Sequence, residues 1–142
     1  RTALMAQSGQ YNFSRCVAHG EIGAASLATA EFVRNTASLV YLINGEYAPF
    51  YKWALKGMKH LEKFPHFSEK LSDLLTLGFS ADEIRTKQDI IECICAEVAD
   101  YLRQSGLAQS NSDFLEPLAF QVQNKIRNPQ ISSLHIMEGG PI

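Results

Sequence analysis

The stretch from Glu21 to Ile43, EIGAASLATAEFVRNTASLVYLI, decides the fold that the sequence predicts. Its apolar residues and two threonines recur at steps of three and four, which is the spacing of one face of an α-helix. This face consists of Ile22, Ala25, Thr29, Phe32, Val33, Thr36, Leu39, Val40 and Ile43. Asn44-Gly45 is expected to end the helix, because both residues tolerate a positive φ.

Glycine and proline residues divide the rest of the chain into further segments of helical length. We predict helices over 2–19, 50–64, 68–77, 81–104 and 112–126, with a bend in the first near Gly9 and Asn12. Ser80 and Glu83 have the spacing of a capping box at the start of the long helix. Residues 133–137 are compatible with a short extended piece, and the glycine-rich residues 139–141 are expected to be mobile.

These segments predict an all-α fold. No stretch alternates apolar and polar residues over the length of a strand. We expect an antiparallel helical bundle of four main helices and one or two short ones, because connections of a few residues favour antiparallel neighbours. Residues 1–142 are the length of a single helical domain.

Composition excludes several classes of function. The chain is 46% hydrophobic and 20% charged, which is typical of a folded globular protein. Its formal net charge of -2 makes nucleic acid an unfavoured partner. No apolar run approaches the ~20 residues that cross a bilayer, so no membrane association is predicted. An odd number of cysteines, three, favours reduced thiols and a cytoplasmic location.

The motifs of common catalytic centres are absent. The sequence has no GxxxxGK or GxGxxG glycine loop, no HExxH and no CxxC. Its aspartates form no close pair that could hold Mg²⁺ beside a triphosphate. We therefore predict neither a catalytic residue nor a metal or cofactor site within this chain.

The segment 7–15, QSGQYNFSR, is dense in groups that form hydrogen bonds. One interpretation is a kinked helix with ordinary capping. The other is a polar wall that orients a ligand through Gln7, Tyr11, Asn12 and Arg15.

The segment 44–53, NGEYAPFYKW, combines aromatic rings with a lysine at a helix start. It is either aromatic core packing near a turn with Lys52 in solvent, or a stacking platform with a cation for phosphate. The second interpretation assigns ligand contacts to Tyr47, Tyr51, Lys52 and Trp53.

A polar strip on the helix 21–43 contains Glu31, Arg34, Asn35 and Ser38. Such a strip is either a solvated face or one side of a cleft. In a cleft, Glu31 could act as a base or bind a cationic substrate.

Three of these stretches resemble one family. The runs 5–12 (MAQSGQYN), 30–44 and 47–53 (YAPFYKW) are similar to the C-terminal helical domain of an uncharacterised bacterial family, in which a nucleotidyltransferase-like domain precedes the helical one. The later stretches 114–126 and 134–137 look similar too, so the likeness covers nearly the whole chain. A more distant likeness is to the helical domains of antibiotic nucleotidyltransferases, where the bundle forms one wall of the cleft.

The resemblance implies a role for each half of such a protein. Lys52 would contact phosphate, and Tyr51 and Trp53 would pack in the cleft. The N-terminal nucleotidyltransferase-like domain would be the partner of this one in the same protein. That domain would supply the catalytic carboxylates and bind Mg²⁺ and a nucleoside triphosphate. The start at Arg1, within a helical pattern, leads us to expect a C-terminal fragment of a longer two-domain protein.

Three hypotheses for function follow. In the first, the chain is a substrate-binding, cleft-forming domain that is inactive alone and takes a small-molecule substrate. In the second, it is an interaction or dimerisation module that forms a homodimer through its apolar helix. The third, a small-molecule enzyme that uses Glu31 or His60, has no complete catalytic set to support it.

Overall fold

The computed structural model describes residues 1–138, and all the regular elements within that range are helices. This confirms the all-α prediction. The expected mobility of residues 139–141 lies outside the described residues. In chain order the elements are α1 (Thr2–Met5), a π-helix called π1 (Ala6–Phe13), α2 (Ser14–Ala18), α3 (Ile22–Ile43), α4 (Tyr51–Met58), α5 (Phe67–Thr76), α6 (Ala81–Gln104), α7 (Leu115–Gln123) and α8 (Pro129–Ser132).

Helix α3 lies at the centre of the bundle. It contacts α1, π1, α2, α4 and α5. Its predicted face is buried around Phe32 and becomes more exposed toward Ile22 at its start. Thr29 and Thr36 enter the core because each hydroxyl donates to the carbonyl oxygen four residues earlier, at 2.9 and 2.8 Å.

The remaining helices pack their apolar faces into one core around α3. The largest side chains that are fully buried there, besides Phe32 and Val40, are Phe13, Phe67, Met5, Met58, Leu71, Leu74, Ile91, Ile94, Leu115 and Leu118. Within residues 1–138, no helix combines the length and apolar character that a bilayer crossing requires.

The bend predicted near Gly9 and Asn12 takes the form of the π-helix. Gly9 packs directly on the aromatic ring of Phe32, and a Cβ atom added at Gly9 would lie 2.4 Å from Phe32 Cδ2. The Gln10 side chain accepts a hydrogen bond from the Leu115 N–H at 2.9 Å and donates one to the Asp113 carbonyl oxygen at 2.9 Å. The π-helix is therefore fixed on one side by close packing and on another by polar contacts with the segment that precedes α7.

Helix α4 is shorter than predicted, since it ends at Met58 rather than at residue 64. The Asn44 side chain accepts from the Lys63 N–H at 2.9 Å and donates to the Lys63 carbonyl oxygen at 3.0 Å. Phe64 then has a φ of 59° immediately before Pro65. These contacts hold residues 59–64 at the end of α3 in a non-helical conformation.

The prediction for 112–126 was also too long, because α7 begins at Leu115. The Arg103 guanidinium donates to the carbonyl oxygens of Ser110 and Ser112 at 2.8 and 2.7 Å, which keeps that stretch out of the helix. The extended piece predicted over 133–137 was wrong, because those residues form turns after α8.

The capping box at the start of α6 is confirmed. Ser80 Oγ accepts from the Glu83 N–H at 3.3 Å, and Glu83 Oε2 accepts from the Ser80 N–H at 3.0 Å. We expect Ser80→Ala to lower the free energy of unfolding by about 1 kcal/mol. Urea unfolding followed by circular dichroism measures the change. Ser72→Ala, at an exposed position within α5, is the matched control and should cost less.

The same contacts make the effect of Ser80→Ala depend on pH. Hydrogen bonds from the Ser80 hydroxyl, the Ser80 N–H and the Gly78 N–H hold the pKa of Glu83 below its ordinary value. A lowered carboxyl pKa contributes stability above the unfolded pKa, and this contribution is lost as the pH falls through the folded pKa. The difference between Ser80→Ala and the parent should therefore shrink in acid. A difference that grows in acid would contradict this assignment.

Candidate functional site

A groove of about 410 Å³ lies between the first helical segment and α3. This volume is within the range of about 300–1,000 Å³ that small-molecule sites occupy. Three predicted site residues line it: Gln7 and Asn12 from π1, and Glu31 from α3. The other lining residues are Leu4, Ser8, Cys16, Ala24, Leu27, Ala28 and Asn35.

The α3 side of the groove is organised by Asn35, whose side chain is buried. Asn35 Nδ2 donates to the Glu31 carbonyl oxygen at 2.9 Å and to Glu31 Oε2 at 3.3 Å. Asn35 Oδ1 accepts from Arg1 Nη1 at 3.1 Å. Glu31 Oε1 lies 3.8 Å from Arg34 Nη2 in a half-exposed pair. The carboxylate is thus held in place while it keeps acceptor positions for a ligand.

The predicted polar strip on α3 is therefore divided between two environments. Glu31 and Asn35 line the groove, whereas Arg34 is exposed. Glu31 therefore lies on the side of a groove, and Arg34 lies on a solvated face of the helix.

The π1 side of the groove presents polar groups because the π-helix is fixed against the core. Gly9 and Phe13 face inward and are buried. Gln7 and Asn12 line the groove, and each amide carries one carbonyl acceptor and two N–H donors. π-helical segments occur frequently at functional sites.

Tyr11 and Arg15 do not line this groove. Arg15 Nη1 donates to the Tyr11 hydroxyl at 2.7 Å, and the guanidinium carbon lies 5.6 Å from the centroid of the Tyr11 ring. The two side chains therefore pair with each other, so the segment 7–15 does not form a single polar wall.

The second predicted segment forms an exposed surface that we call the aromatic patch. Its residues are Tyr47, Phe50, Tyr51, Lys52, Trp53 and Lys56. Tyr47 and Tyr51 are 91% and 78% exposed, so the alternative of aromatic core packing is wrong for them. The ammonium groups of Lys52 and Lys56 lie 5.2 and 5.8 Å from the centroid of the Trp53 ring, which is the distance of a cation–π contact.

The groove and the aromatic patch lie apart. Glu31 is twelve residues before Ile43, the last residue of α3, which is about 18 Å along a helix. The patch begins only beyond that end. The predicted site residues therefore fall into separate groups rather than into one site within this chain.

The structure also separates Glu31 from His60. His60 lines a different groove, of about 600 Å³ between α4 and α5, together with Lys56, Lys59, Glu69 and Asp73. The two residues named for the enzyme hypothesis therefore line different grooves. In the part of the chain that the structure describes, no three His, Cys, Asp or Glu side chains are grouped as metal ligands.

Sequence reasoning missed a polar cluster between α5 and α6. The Glu97 carboxylate receives hydrogen bonds from Lys70 Nζ at 2.7 Å and contacts His66 Nε2 at 2.6 Å. Burial alone would raise the pKa of Glu97, but the contacts with Lys70 and His66 hold it below its ordinary value. These residues lie 27 and 31 positions from Glu97 and belong to no local motif, so spacing along the chain carried no signal for them.

A comparison with protein families finds a match over part of the chain. A family described as a domain of unknown function (DUF4037) matches residues 1–54. The matched part contains all the residues that line the groove and the patch residues from Tyr47 to Trp53. Neither the curated proteins nor the solved structures gave a match. The resemblance to a family of unknown function is confirmed over that range, and the family's description names no activity.

Proposed function

We propose that this chain is the substrate-binding, cleft-forming helical domain of a nucleotidyltransferase-like protein and that it is not catalytic by itself. The observation that carries the proposal is the Glu31 carboxylate, held by buried Asn35 and facing a groove that Gln7 and Asn12 also line. Sites that position a small polar molecule typically contain one oriented charged group and several amides.

The chemistry of the groove selects the class of ligand. Its lining residues carry one carboxylate, three side-chain amides, one hydroxyl and one thiol, and no ammonium or guanidinium. The nearest guanidinium groups are already engaged, Arg34 with Glu31 Oε1 at 3.8 Å and Arg1 with Asn35 Oδ1 at 3.1 Å. A phosphate would therefore meet the Glu31 charge with no cation in the lining itself to bind it. A hydroxylated amine would instead form a charge-assisted hydrogen bond with Glu31 and neutral hydrogen bonds with the amides. In this proposal, Mg²⁺ and the nucleoside triphosphate are bound by the N-terminal nucleotidyltransferase-like domain.

Calorimetric titration tests this selectivity. The probes are glucosamine, kanamycin, glucose and Mg²⁺-ATP. Glucosamine and glucose differ chiefly in the ammonium group, so the pair isolates the contribution of Glu31. We expect both amines to bind more tightly than glucose. Glucosamine binding no tighter than glucose, or Mg²⁺-ATP displacing kanamycin from the groove, would overturn the proposal.

Glu31→Gln is expected to weaken the binding of glucosamine about tenfold. The substitution keeps the shape of the side chain and removes the charge, and a charge-assisted hydrogen bond exceeds a neutral one by about 1.4 kcal/mol, which is a factor of ten. Glu62→Gln, at an exposed carboxylate outside the groove, is the matched control. An equal loss of affinity in both variants would show that Glu31 does not contact the amine.

The alternative function, an interaction or dimerisation module, is favoured by the aromatic patch. Clustered exposed rings are typical of surfaces that another molecule covers. In the proposed two-domain protein, Tyr51 and Trp53 pack in the cleft between the domains and Lys52 contacts phosphate. In the alternative, the same surface binds a second copy of the chain. Light scattering distinguishes the two, because only the alternative predicts a dimer of the isolated chain.

Lys52→Ala is expected to weaken the binding of Mg²⁺-ATP by the two-domain protein severalfold while the melting temperature stays nearly unchanged. Lys52 is exposed, and the contact the structure shows for its ammonium group is with the Trp53 ring. Calorimetry measures the affinity, and Lys125→Ala is the control for removing one exposed lysine elsewhere. A large fall in the melting temperature would mean that Lys52 supports the fold instead.

A further inference from the structure

Two nucleophilic side chains from different helices meet at the surface between α5 and α6. Lys70 Nζ on α5 lies 3.0 Å from Cys93 Sγ on α6. Glu97, one turn after Cys93, accepts from Lys70 Nζ at 2.7 Å, and its Oε1 lies 3.6 Å from Cys93 Sγ. The Cys93 side chain is exposed, so small oxidants in solution reach its sulfur.

The arrangement does not fit the commoner uses of a cysteine. A metal site is disfavoured because the Lys70 ammonium lies against both the thiol and the carboxylate that would be ligands. A cysteine–histidine nucleophile is disfavoured because the contact of the His66 ring is with Glu97 rather than with Cys93. The Lys70 nitrogen and the Cys93 sulfur are 3.0 Å apart, which is close enough for a single atom to join them.

We propose that Lys70 and Cys93 form an oxidative modification site, in which hydrogen peroxide joins Nζ to Sγ through a single oxygen atom. The product is a covalent N–O–S bridge between α5 and α6. The chemical class of the reagent is a small peroxide.

The steps balance with two equivalents of peroxide. The Cys93 thiolate attacks the first peroxide, the O–O bond breaks, and the departing hydroxide takes a proton from the Lys70 ammonium, so that sulfenic acid, water and the neutral Lys70 amine form. The second peroxide displaces hydroxide from the sulfenic sulfur, which leaves an S–O–OH group and water. The neutral amine of Lys70 attacks the oxygen bound to sulfur, the remaining O–O bond breaks, and the departing hydroxide takes a proton from nitrogen. One amine, one thiol and two peroxides thus give one bridge and three waters.

The other cysteines provide internal comparisons. Cys95 is fully buried, and burial raises the pKa of its thiol, so it is protected from peroxide. Cys16 lines the groove and is only half-buried, but it lies on α2, away from the α5–α6 surface. Selective bridging at Cys93 therefore depends on Lys70 rather than on exposure alone.

Intact-mass spectrometry of the peroxide-treated chain tests the proposal. We expect a product that has gained one oxygen and lost two hydrogens, with a tryptic peptide that joins the segments containing Lys70 and Cys93. Dithiothreitol should reverse it. The bridged chain should also melt at a higher temperature, because a cross-link between α5 and α6 restricts the unfolded state.

Matched variants separate the bridge from ordinary oxidation. Lys70→Arg keeps the positive charge and Cys93→Ser removes the sulfur, and both should abolish the product. Cys16→Ser should retain it. Recovery of Cys93 as sulfinic acid with an unmodified Lys70 peptide, or no reaction at Cys93, would overturn the proposal. The mapping is done on the unsubstituted chain, so the result does not depend on whether a variant folds.

Discussion

Replacing Phe32 by alanine is expected to lower the free energy of unfolding by about 3–5 kcal/mol. The ring is fully buried in the middle of α3, which is the helix that contacts α1, π1, α2, α4 and α5. Its loss removes apolar contacts and leaves a cavity beneath π1, because Gly9 lies directly on the ring. Both walls of the groove between π1 and α3 would lose support in this variant.

Urea unfolding followed by circular dichroism measures this loss. Leu27→Ala is the matched control, because Leu27 lies on the same helix and is 71% exposed. An exposed position of this kind usually changes stability by no more than about 0.5 kcal/mol. Similar losses in the two variants would show that α3 does not pack at the centre of the bundle as described.

Replacing Gly9 by alanine is expected to lower the free energy of unfolding by about 1–3 kcal/mol, the usual cost of overpacking a core. A Cβ atom at this position would lie 2.4 Å from Phe32 Cδ2 and 3.0 Å from Ile91 Cγ2, and both of these side chains are buried in the core. The sign of the change in unfolding free energy is diagnostic, because replacing glycine by alanine in an unobstructed helix stabilises the protein by about 0.5–1 kcal/mol.

The control for this sign is Gly23→Ala in the first turn of α3. Apart from its chain neighbours and the backbone of its own helix, nothing lies within 4 Å of a Cβ added at Gly23, so the substitution should be neutral or stabilising. Gly9→Ala should also cost less when Phe32 is already leucine, because the smaller side chain leaves room for the added methyl group. A stabilising Gly9→Ala, measured by the same unfolding experiment, would show that π1 does not pack closely on α3.

Local pattern was sufficient to predict α3 and the start of α6. In residues 21–43 the apolar side chains fall on one face of a helix, and this face is the one that is buried. The capping box at the start of α6 is formed by Ser80 and Glu83, which are only three residues apart. The end of α4 could not be predicted in this way, because it depends on hydrogen bonds between Asn44 and Lys63, nineteen residues apart. Gly9 marked an irregularity in the first segment, but its close approach to Phe32 joins positions 23 residues apart and is not visible in the local sequence.

The same limit applies to the candidate site. Gln7, Asn12 and Glu31 were each predicted from residue type, but only the packing of π1 on α3 places them around one groove. Tyr11 belonged to the same polar segment as Gln7 and pairs instead with Arg15. The contact of Lys70 with Cys93 joins two helices across 23 positions, and no periodicity within one helix contains it.

The most direct test of the account is a two-dimensional NMR titration of the chain with glucosamine, in which the side-chain amides of Gln7, Asn12 and Asn35 are observed. These amides belong to the groove that we propose as the ligand site. The account predicts saturable shifts of all three, while the amide of Asn124, which does not line the groove, stays unchanged. Shifts confined to other residues, or none at these amides with glucosamine in excess, would contradict it.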